Sequence, residues 1–351
     1  MRKTNIAVFG FGTVGSGVVE LLEKNQEEVS REVGGEVYVK YILDIREFPD
    51  SPYAGRVVHD VNVVLEDPEI KVICETMGGL EPAFSYTRRA LKRGISVCTS
   101  NKELVDAFGG ELTEVAREYY CSYLFEASVG GGIPLLRPLR EALKQEKLTA
   151  VMGILNGTCN YILTKMGRED MDFADALKQA QENGFAERNP DADIQGHDTA
   201  RKLAILASLL SGKRVSYEQI PCEGITKIGK QDLLRAKEQG KAVKLLGVCQ
   251  RDLDTGSLSV MTAPCLVPMD NPLYGVNDVF NGVLVQGNMV GDVMFYGRGA
   301  GKLPTASAVV SDVIECIENT GRFIDTGLPG PERRAELTDF SGPLPGGIER
   351  L

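Results

Sequence analysis

Two lysines stand where proton chemistry is possible. Lys202 follows Asp198 by four positions, so on a helix both share one face, beside Leu203, Ile205, Leu206 and Leu209, which read as core-facing. Upstream, Glu187, Asp191 and Asp193 crowd carboxylates around that one ammonium, in a run opened by Gly184-Phe-Ala and broken by Asn189-Pro190. Taken alone, the segment favours a solvated ion pair with Asp191 or Asp193 as a helix cap; the number of carboxylates argues for a site. Lys102 closes Thr99-Ser100-Asn101-Lys102, directly after an apolar run ending at Cys98. Glu75-Thr76-Met77-Gly78-Gly79 follows another such run. Loops at the carboxyl ends of strands line the ligand crevice of an open α/β sheet, although each of these alone reads equally as a plain turn and helix N-cap. A lysine facing that crevice is placed to polarise or relay a proton. His59 and His197 have no spacing that suits a metal or a catalytic pair, and both read as structural.

Gly10-Phe11-Gly12-Thr13-Val14-Gly15 follows a strand and opens a helix, the context that a dinucleotide-binding turn requires. Gly10 permits the tight turn, Gly12 lets backbone approach a pyrophosphate, and Gly15 permits close helix–strand packing. The helix N-terminus offers unpaired N–H groups and a positive dipole end to phosphate. Asp44, at the end of the second strand, is placed to accept from the ribose hydroxyls and to repel a 2′-phosphate, which favours NAD. Arg46, two positions on, would bind that phosphate or serve as a solvated loop charge, so the choice between NAD and NADP stays open.

The elements that must position these groups alternate at first. Strands are predicted at 5–9, 37–43, 71–74, 95–98 and 121–125, and helices at 13–24, 82–93 and 110–118. That alternation predicts an α/β fold, a Rossmann-type doubly wound parallel sheet over residues 1–132. After Gly130-Gly131-Gly132, helices at 135–143, 160–166, 172–183, 198–210 and 232–238 mix with strands at 148–154, 242–249, 258–262 and 282–285. This second region, 133–303, reads as an α+β catalytic and dimerisation domain. A helix at 305–318 could belong to either domain by its pattern; it is assigned to a returning segment, 304–320, of the first domain. The Gly-, Pro- and charge-rich tail, 321–351, reads as mobile or only peripherally docked.

Of the 351 residues, 43% are hydrophobic and 25% charged, the composition of a globular chain rather than a disordered or fibrous one. Net charge is −10, which disfavours nucleic acid and anionic membranes as partners. The longest apolar run, 203–210, is too short to span a bilayer, and the start of the chain does not read as a signal peptide. Eight scattered cysteines without a Cys-x-x-Cys pair read as buried free thiols of a reducing cytoplasm.

Several of these motifs, with others in order along the chain, resemble the homoserine dehydrogenase family. They are Gly10-Phe-Gly-Thr-Val-Gly15, Met77-Gly-Gly79, Ser100-Asn-Lys102, Glu126-Ala-Ser-Val-Gly-Gly-Gly-Ile-Pro134, Leu155-Asn-Gly-Thr-Cys-Asn-Tyr-Ile-Leu163, Gly184-Phe-Ala-Glu187 through Lys202-Leu-Ala-Ile-Leu206, and Gly297-Arg-Gly-Ala-Gly301 with Pro304-Thr-Ala-Ser307. The resemblance implies reversible NAD(P)-dependent oxidation of L-homoserine to L-aspartate 4-semialdehyde, within threonine, methionine and isoleucine biosynthesis. It implies Lys202 as the acid/base, Lys102 near the reacting oxygen and nicotinamide, and Asp198, Glu187 and Asp193 as carboxylates that hold the substrate and orient the lysines. Gly157 and Thr158 join the substrate contacts, and Thr76, Met77, Gly78, Ser100, Gly301 and Thr305 the cofactor contacts. It further implies a monovalent cation, Na⁺ or K⁺, on the carbonyls of Glu126, Val129, Gly131 and Ile133, and a homodimer or homotetramer. Some thirty residues follow the last motif, so the threonine-binding regulatory (ACT) domain of many members is expected to be absent. The competing readings are a dehydrogenase for a related amino-acid substrate and a nucleotide sensor without turnover.

Overall fold

A computed structural model describes residues 2–340 and 342–351. The chain divides into two compact units: one runs to Arg140 and adds Ala300–Pro331, and the other comprises Glu141–Gly299 and Glu332–Leu351.

The first unit holds strands β1 (Arg2–Phe9), β2 (Gly35–Leu43), β3 (Val57–Val58), β4 (Ile70–Glu75), β5 (Ser96–Thr99) and β6 (Tyr123–Leu124). Its helices are α1 (Thr13–Lys24), α2 (Gln26–Val33), α3 (Val61–Leu65), α4 (Ala83–Leu91), α5 (Lys102–Glu118) and most of α6 (Leu136–Glu141). The six strands lie parallel in the order β3-β2-β1-β4-β5-β6. This is the doubly wound order, in which ligands bind where the strand sequence reverses, beyond the carboxyl ends of β1 and β4. Ile6 and Val8 of β1 pack with Val18, Val19 and Leu22 of α1 in one buried cluster.

The second unit holds β7 (Leu148–Ile154), β8 (Lys241–Arg251), β9 (Leu258–Pro268), β10 (Phe280–Gly287), β11 (Gly291–Arg298) and β12 (Glu349–Arg350), in the order β11-β10-β7-β8-β9-β12 with every pairing antiparallel. Helices α7 (Gly157–Glu169), α8 (Phe173–Glu182), α9 (Asp191–Ile194), α10 (His197–Ser211) and α11 (Lys230–Glu238) belong with it. The last helix, α12 (Lys302–Glu318), returns to the first unit, where Val309, Val310 and Val313 join the cluster around α1.

Several expectations are corrected. Helix α5 starts at Lys102, eight residues before the predicted start, because the Asn101 side chain caps it by accepting from Leu104 N at 3.1 Å. Strand β11 and helix α2 were not foreseen. The unit boundary falls at 140 instead of 132. The tail is not peripheral: residues 328–330 lie along Gly109 and Gly110 of α5, where an added Cβ would meet Leu328 at 2.6 Å and the Pro329 carbonyl at 2.4 Å. Farther on, Leu344 and Ile348 are buried in the second unit and β12 extends its sheet. Composition predicted the opposite because it does not register a groove two glycines leave on a distant helix. Seven cysteines are buried, but Cys222 is exposed. Burial pushes the thiols of Cys121, Cys249 and Cys265 up to about 12, which keeps them unreactive. Among the described residues, no helix is long and apolar enough to cross a membrane.

Candidate active site

In the first unit the turn after β1 is built around Gly10, whose φ of +86° is accessible to glycine and strained for other residues. A Cβ there would lie 2.9 Å from Met77 Cα. At Gly15 a Cβ would lie 1.9 Å from the Gly10 carbonyl oxygen and 2.7 Å from Thr76 Oγ1. Gly12 differs: a Cβ there would meet nothing within 4 Å, and Gly12 caps α1 with no side chain over the helix end. The turn therefore presents open space and unpaired N–H groups at a helix N-terminus, the arrangement a pyrophosphate fits.

Asp44 and Arg46, read as competing signals, are one ion pair. Arg46 Nη2 reaches Asp44 Oδ2 at 2.9 Å and Nε reaches Oδ1 at 3.0 Å. The same carboxylate accepts from Phe11 N at 2.7 Å, tying the end of β2 to the glycine turn. The Arg46 guanidinium, then the N–H groups of Phe11 and Arg46, hold the Asp44 carboxyl down at about 2. His59 serves this corner, its Nδ1 2.6 Å from the Asp44 carbonyl.

The two loops at the ends of β4 and β5 share a residue that sequence reading passed over. Glu75 is fully buried; its Oε1 accepts from Met77 N at 2.8 Å and its Oε2 from Thr99 Oγ1 at 2.6 Å. Asn101 N donates to Thr99 Oγ1 at 2.9 Å, and Asn101 Nδ2 to the Gly79 carbonyl at 2.6 Å. One buried carboxyl, its pKa raised by desolvation, thus fixes both loops and the start of α5, where half-buried Lys102 is the first helical residue. Thr76 Oγ1 donates to the Gly10 carbonyl at 2.8 Å, Ser100 N donates to the Glu75 carbonyl at 3.3 Å, and Gly78 adopts φ +84°. Gly301, at φ +120°, caps α12, with Thr305 one turn inside.

The loop from Glu126 to Ile133 also lies in this unit. The Glu126 side chain accepts from the N–H groups of Leu135, Leu136 and Arg137 at 2.6, 2.8 and 2.7 Å and so closes the loop on itself. Gly130 and Gly131 both have positive φ. Val129, Gly131 and Ile133 are buried, and among the described residues their carbonyls accept no hydrogen bond. Buried carbonyls without partners are costly, and a small cation is what such a set fits.

In the second unit the solvated reading of the Asp198–Lys202 pair is overturned. The side chains are 8% and 11% exposed, and Lys202 Nζ lies 2.7 Å from Asp198 Oδ2 and 2.8 Å from the Leu155 carbonyl. Neither Asp191 nor Asp193 caps α10; that position is Gly196, at φ +87°. Asp193 instead accepts from Asn156 Nδ2 at 2.7 Å, and the same amide nitrogen donates to Asp198 Oδ2 at 2.8 Å. Asn156 Oδ1 meanwhile caps α7 by accepting from Cys159 N at 2.8 Å. Asn156 thus holds both carboxylates and the start of the helix bearing Gly157 and Thr158. It was not a candidate, although an asparagine before Gly-Thr and an apolar helix is an N-cap signature. Thr158 Oγ1 donates to the Phe185 carbonyl at 2.7 Å. Glu187 is exposed, and its carbonyl accepts from Gln181 Nε2 at 3.1 Å. His197 is exposed and edge-on to Tyr217.

A doubly wound nucleotide-binding unit with a phosphate-ready glycine turn, and a second unit carrying a half-buried lysine on a buried aspartate, define an NAD(P)-dependent oxidoreductase. Comparison with known proteins narrows the class. Residues 10–126 match the model for the homoserine dehydrogenase NAD-binding domain, and residues 134–314 the model for homoserine dehydrogenase itself. The homoserine dehydrogenase of Bacillus subtilis is 41% identical over 322 residues, 91% of this chain and 74% of its own length. The crystal structure of the Thiobacillus denitrificans homoserine dehydrogenase superposes with TM-score 0.89 at 35% identity, covering 97% of this chain and 80% of that one. A hyperthermophilic archaeal homoserine dehydrogenase solved with NADPH superposes with TM-score 0.75 at 27% identity, covering 90% and 98%. The chain belongs to the homoserine dehydrogenase family, enzymes that interconvert L-homoserine and L-aspartate 4-semialdehyde with a nicotinamide cofactor.

Proposed function

We propose that Lys202 is the acid/base of this reaction: as the neutral amine it takes the hydroxyl proton of homoserine during oxidation and becomes the ammonium, and as the ammonium it returns that proton during reduction. The observation that carries the reading is the contact of Lys202 Nζ with Oδ2 of the buried Asp198, itself held by Asn156. Two acceptors, Asp198 and the Leu155 carbonyl, fix the direction in which the ammonium projects. Asp198 orients the lysine, and Asp193 and Glu187 supply negative charge for the substrate ammonium. Lys102, at the N-terminus of α5, polarises the reacting oxygen. When bound, the nicotinamide supplies the hydride acceptor or donor. The turn from Gly10 to Gly15 holds its pyrophosphate, with Phe11, Thr13, Val14, Thr76, Met77, Gly78, Ser100, Gly301 and Thr305 as the remaining contacts. The test is nicotinamide absorbance during L-homoserine oxidation with NAD and NADP in parallel; cofactor reduction that requires homoserine supports the reading, and none with either cofactor sinks it.

The Asp44–Arg46 pair is the element that discriminates the cofactors. Asp44 faces ribose hydroxyls, and Arg46 is the group that can turn to a 2′-phosphate. Charged hydrogen bonds of this kind contribute about 1.5–3 kcal/mol. Arg46→Ala is therefore expected to raise KM for NADP about 10- to 100-fold and to leave KM for NAD within about twofold. Equal changes for both cofactors would remove Arg46 from this role.

The carbonyls of Glu126, Val129, Gly131 and Ile133 are the residues that would hold Na⁺ or K⁺, whose fixed charge would satisfy them. A ligand that binds only the folded state stabilises it, by about 2.7 kcal/mol at a concentration 100 times Kd. The thermal midpoint is expected to rise with Na⁺ or K⁺ but not with choline at equal ionic strength; identical midpoints in all three salts would dismiss the site. Strand β11 is one edge of the second unit's sheet, with Tyr296, Met289 and Val290 exposed nearby, and we assign dimerisation to that sheet. The proposed setting is threonine, methionine and isoleucine biosynthesis in the cytoplasm.

A further inference from the structure

Asn281, the second residue of β10, is 1% exposed, yet neither Oδ1 nor Nδ2 has a hydrogen-bond partner among the described residues. A buried amide without partners is costly and requires an explanation. Its position is held from several sides. In β10, the next residue, Gly282, pairs with Ile154 at the end of β7, so Asn281 lies level with the turn that leads into α7. Asn160 Nδ2 donates to the carbonyls of Asp278 and Phe280, both at 3.0 Å, and buried Lys244 donates to Asn160 Oδ1 at 3.2 Å and Asn277 Oδ1 at 3.1 Å. The space the amide occupies depends on a glycine: a Cβ at Gly299 would lie 1.9 Å from Asn281 Nδ2. On the other side, a Cβ at Gly157 would lie 3.7 Å from Asn281 Oδ1.

The amide therefore stands between Gly299 and the N-terminus of α7. At that terminus the first intrahelical bond is Asn160 N to the Asn156 carbonyl at 3.2 Å, and Cys159 N is taken by the Asn156 side chain. The N–H groups of Gly157 and Thr158 precede it and have no intrahelical acceptor. Two open N–H groups, the positive end of a 13-residue helix and an amide that presents its NH₂ after a half-turn about its terminal bond make a receptor for a carboxylate. Asn156, at the cap of the same helix, bonds Asp198, the partner of Lys202.

We propose that Asn281 is a specificity-determining residue of this enzyme, donating from Nδ2 to the α-carboxylate of the amino-acid substrate, and that Gly299 is the residue whose missing side chain lets it do so. The assignment rests on the Lys202 reading. With the hydroxyl end at Lys202 and the ammonium at the carboxylates, the α-carboxylate is the one anionic group of homoserine, and α7 offers the positive pole beside them.

The test compares L-homoserine with L-homoserinamide, in which the carboxylate becomes a neutral carboxamide, in wild type, Asn281→Asp and Gly299→Ala. In Asn281→Asp, the ratio of kcat/KM for homoserine over homoserinamide is expected to fall at least tenfold, because the new carboxylate repels the acid and accepts from the amide. KM for homoserine is expected to rise more than kcat falls, with NADPH affinity unchanged. Gly299→Ala, which pushes the amide aside, is expected to lower the same ratio. A general structural lesion lowers kcat/KM for both substrates alike, and an unchanged ratio in both variants overturns the proposal. If wild type itself reduces no cofactor with homoserine, the Lys202 reading falls and takes the Asn281 assignment with it; wild-type turnover with unchanged ratios overturns the Asn281 assignment alone.

Discussion

Lys202→Ala is expected to lower kcat for homoserine oxidation by about three orders of magnitude, within the span that general acid–base catalysis contributes. The nucleotide turn lies in the other unit, so the Kd for NADPH, read by fluorescence, is expected to stay within about twofold of wild type. The substitution also leaves Asp198, whose side chain is 8% exposed, without its ammonium partner, and removing one member of a buried ion pair costs about 3–5 kcal/mol. Asn156 still donates to Asp198 and offsets part of that cost. Two readouts separate lost chemistry from lost fold. A small primary amine added to Lys202→Ala restores part of kcat if an acid/base is missing and nothing if the site has collapsed. Asp198→Asn retains a hydrogen-bonding partner for Lys202 while removing its charge, and is expected to lower kcat less than Lys202→Ala. Full turnover in Lys202→Ala would end the mechanism.

The second large effect is at the glycine turn, where two glycines of one motif are expected to fail differently. Among the described residues, Gly12→Val meets no atom within 4 Å of the new Cβ, and Gly12 has φ −82°, which any residue adopts. Its thermal midpoint is expected to match wild type, while a side chain where the pyrophosphate approaches lowers NADPH affinity about a hundredfold, or about 2.7 kcal/mol. Gly15→Ala is obstructed by protein instead: the Gly10 carbonyl oxygen lies 1.9 Å from the new Cβ, so backbone must move. Overpacking of that kind costs about 1–3 kcal/mol, and both midpoint and affinity are expected to fall. Normal NADPH binding by Gly12→Val would mean that the nucleotide does not lie over this turn.

These expectations differ in how much of their basis was legible in the sequence. The glycine turn was, because strand, turn and helix are contiguous and the spacing of three glycines encodes them. The helix carrying Asp198 and Lys202 was, because a four-residue spacing is a local property. Whether that pair was solvated or buried was not legible, because the answer lies in Asn156, 42 positions from Asp198. Glu75 was passed over for a similar reason: its partner Thr99 sits on another strand, 24 residues away. The tail shows composition giving the wrong sign, since Pro and Gly suggested mobility while Leu344 and Ile348 reached a core.

What the sequence by itself determined is therefore what neighbouring residues settle together: the parallel α/β half, the phosphate turn, the lysine–aspartate helix face and the family motifs. What the tertiary structure decided is which polar groups lose water and who receives them. It paired Arg46 with Asp44, placed Asn156 on two aspartates and left the Asn281 amide, among the described residues, without a partner beside the α7 N-terminus. The division has a physical cause. Helix and turn formation follow from dihedral preferences and short-range bonds, whereas desolvation depends on every element packed around a group, and those elements come from distant parts of the chain.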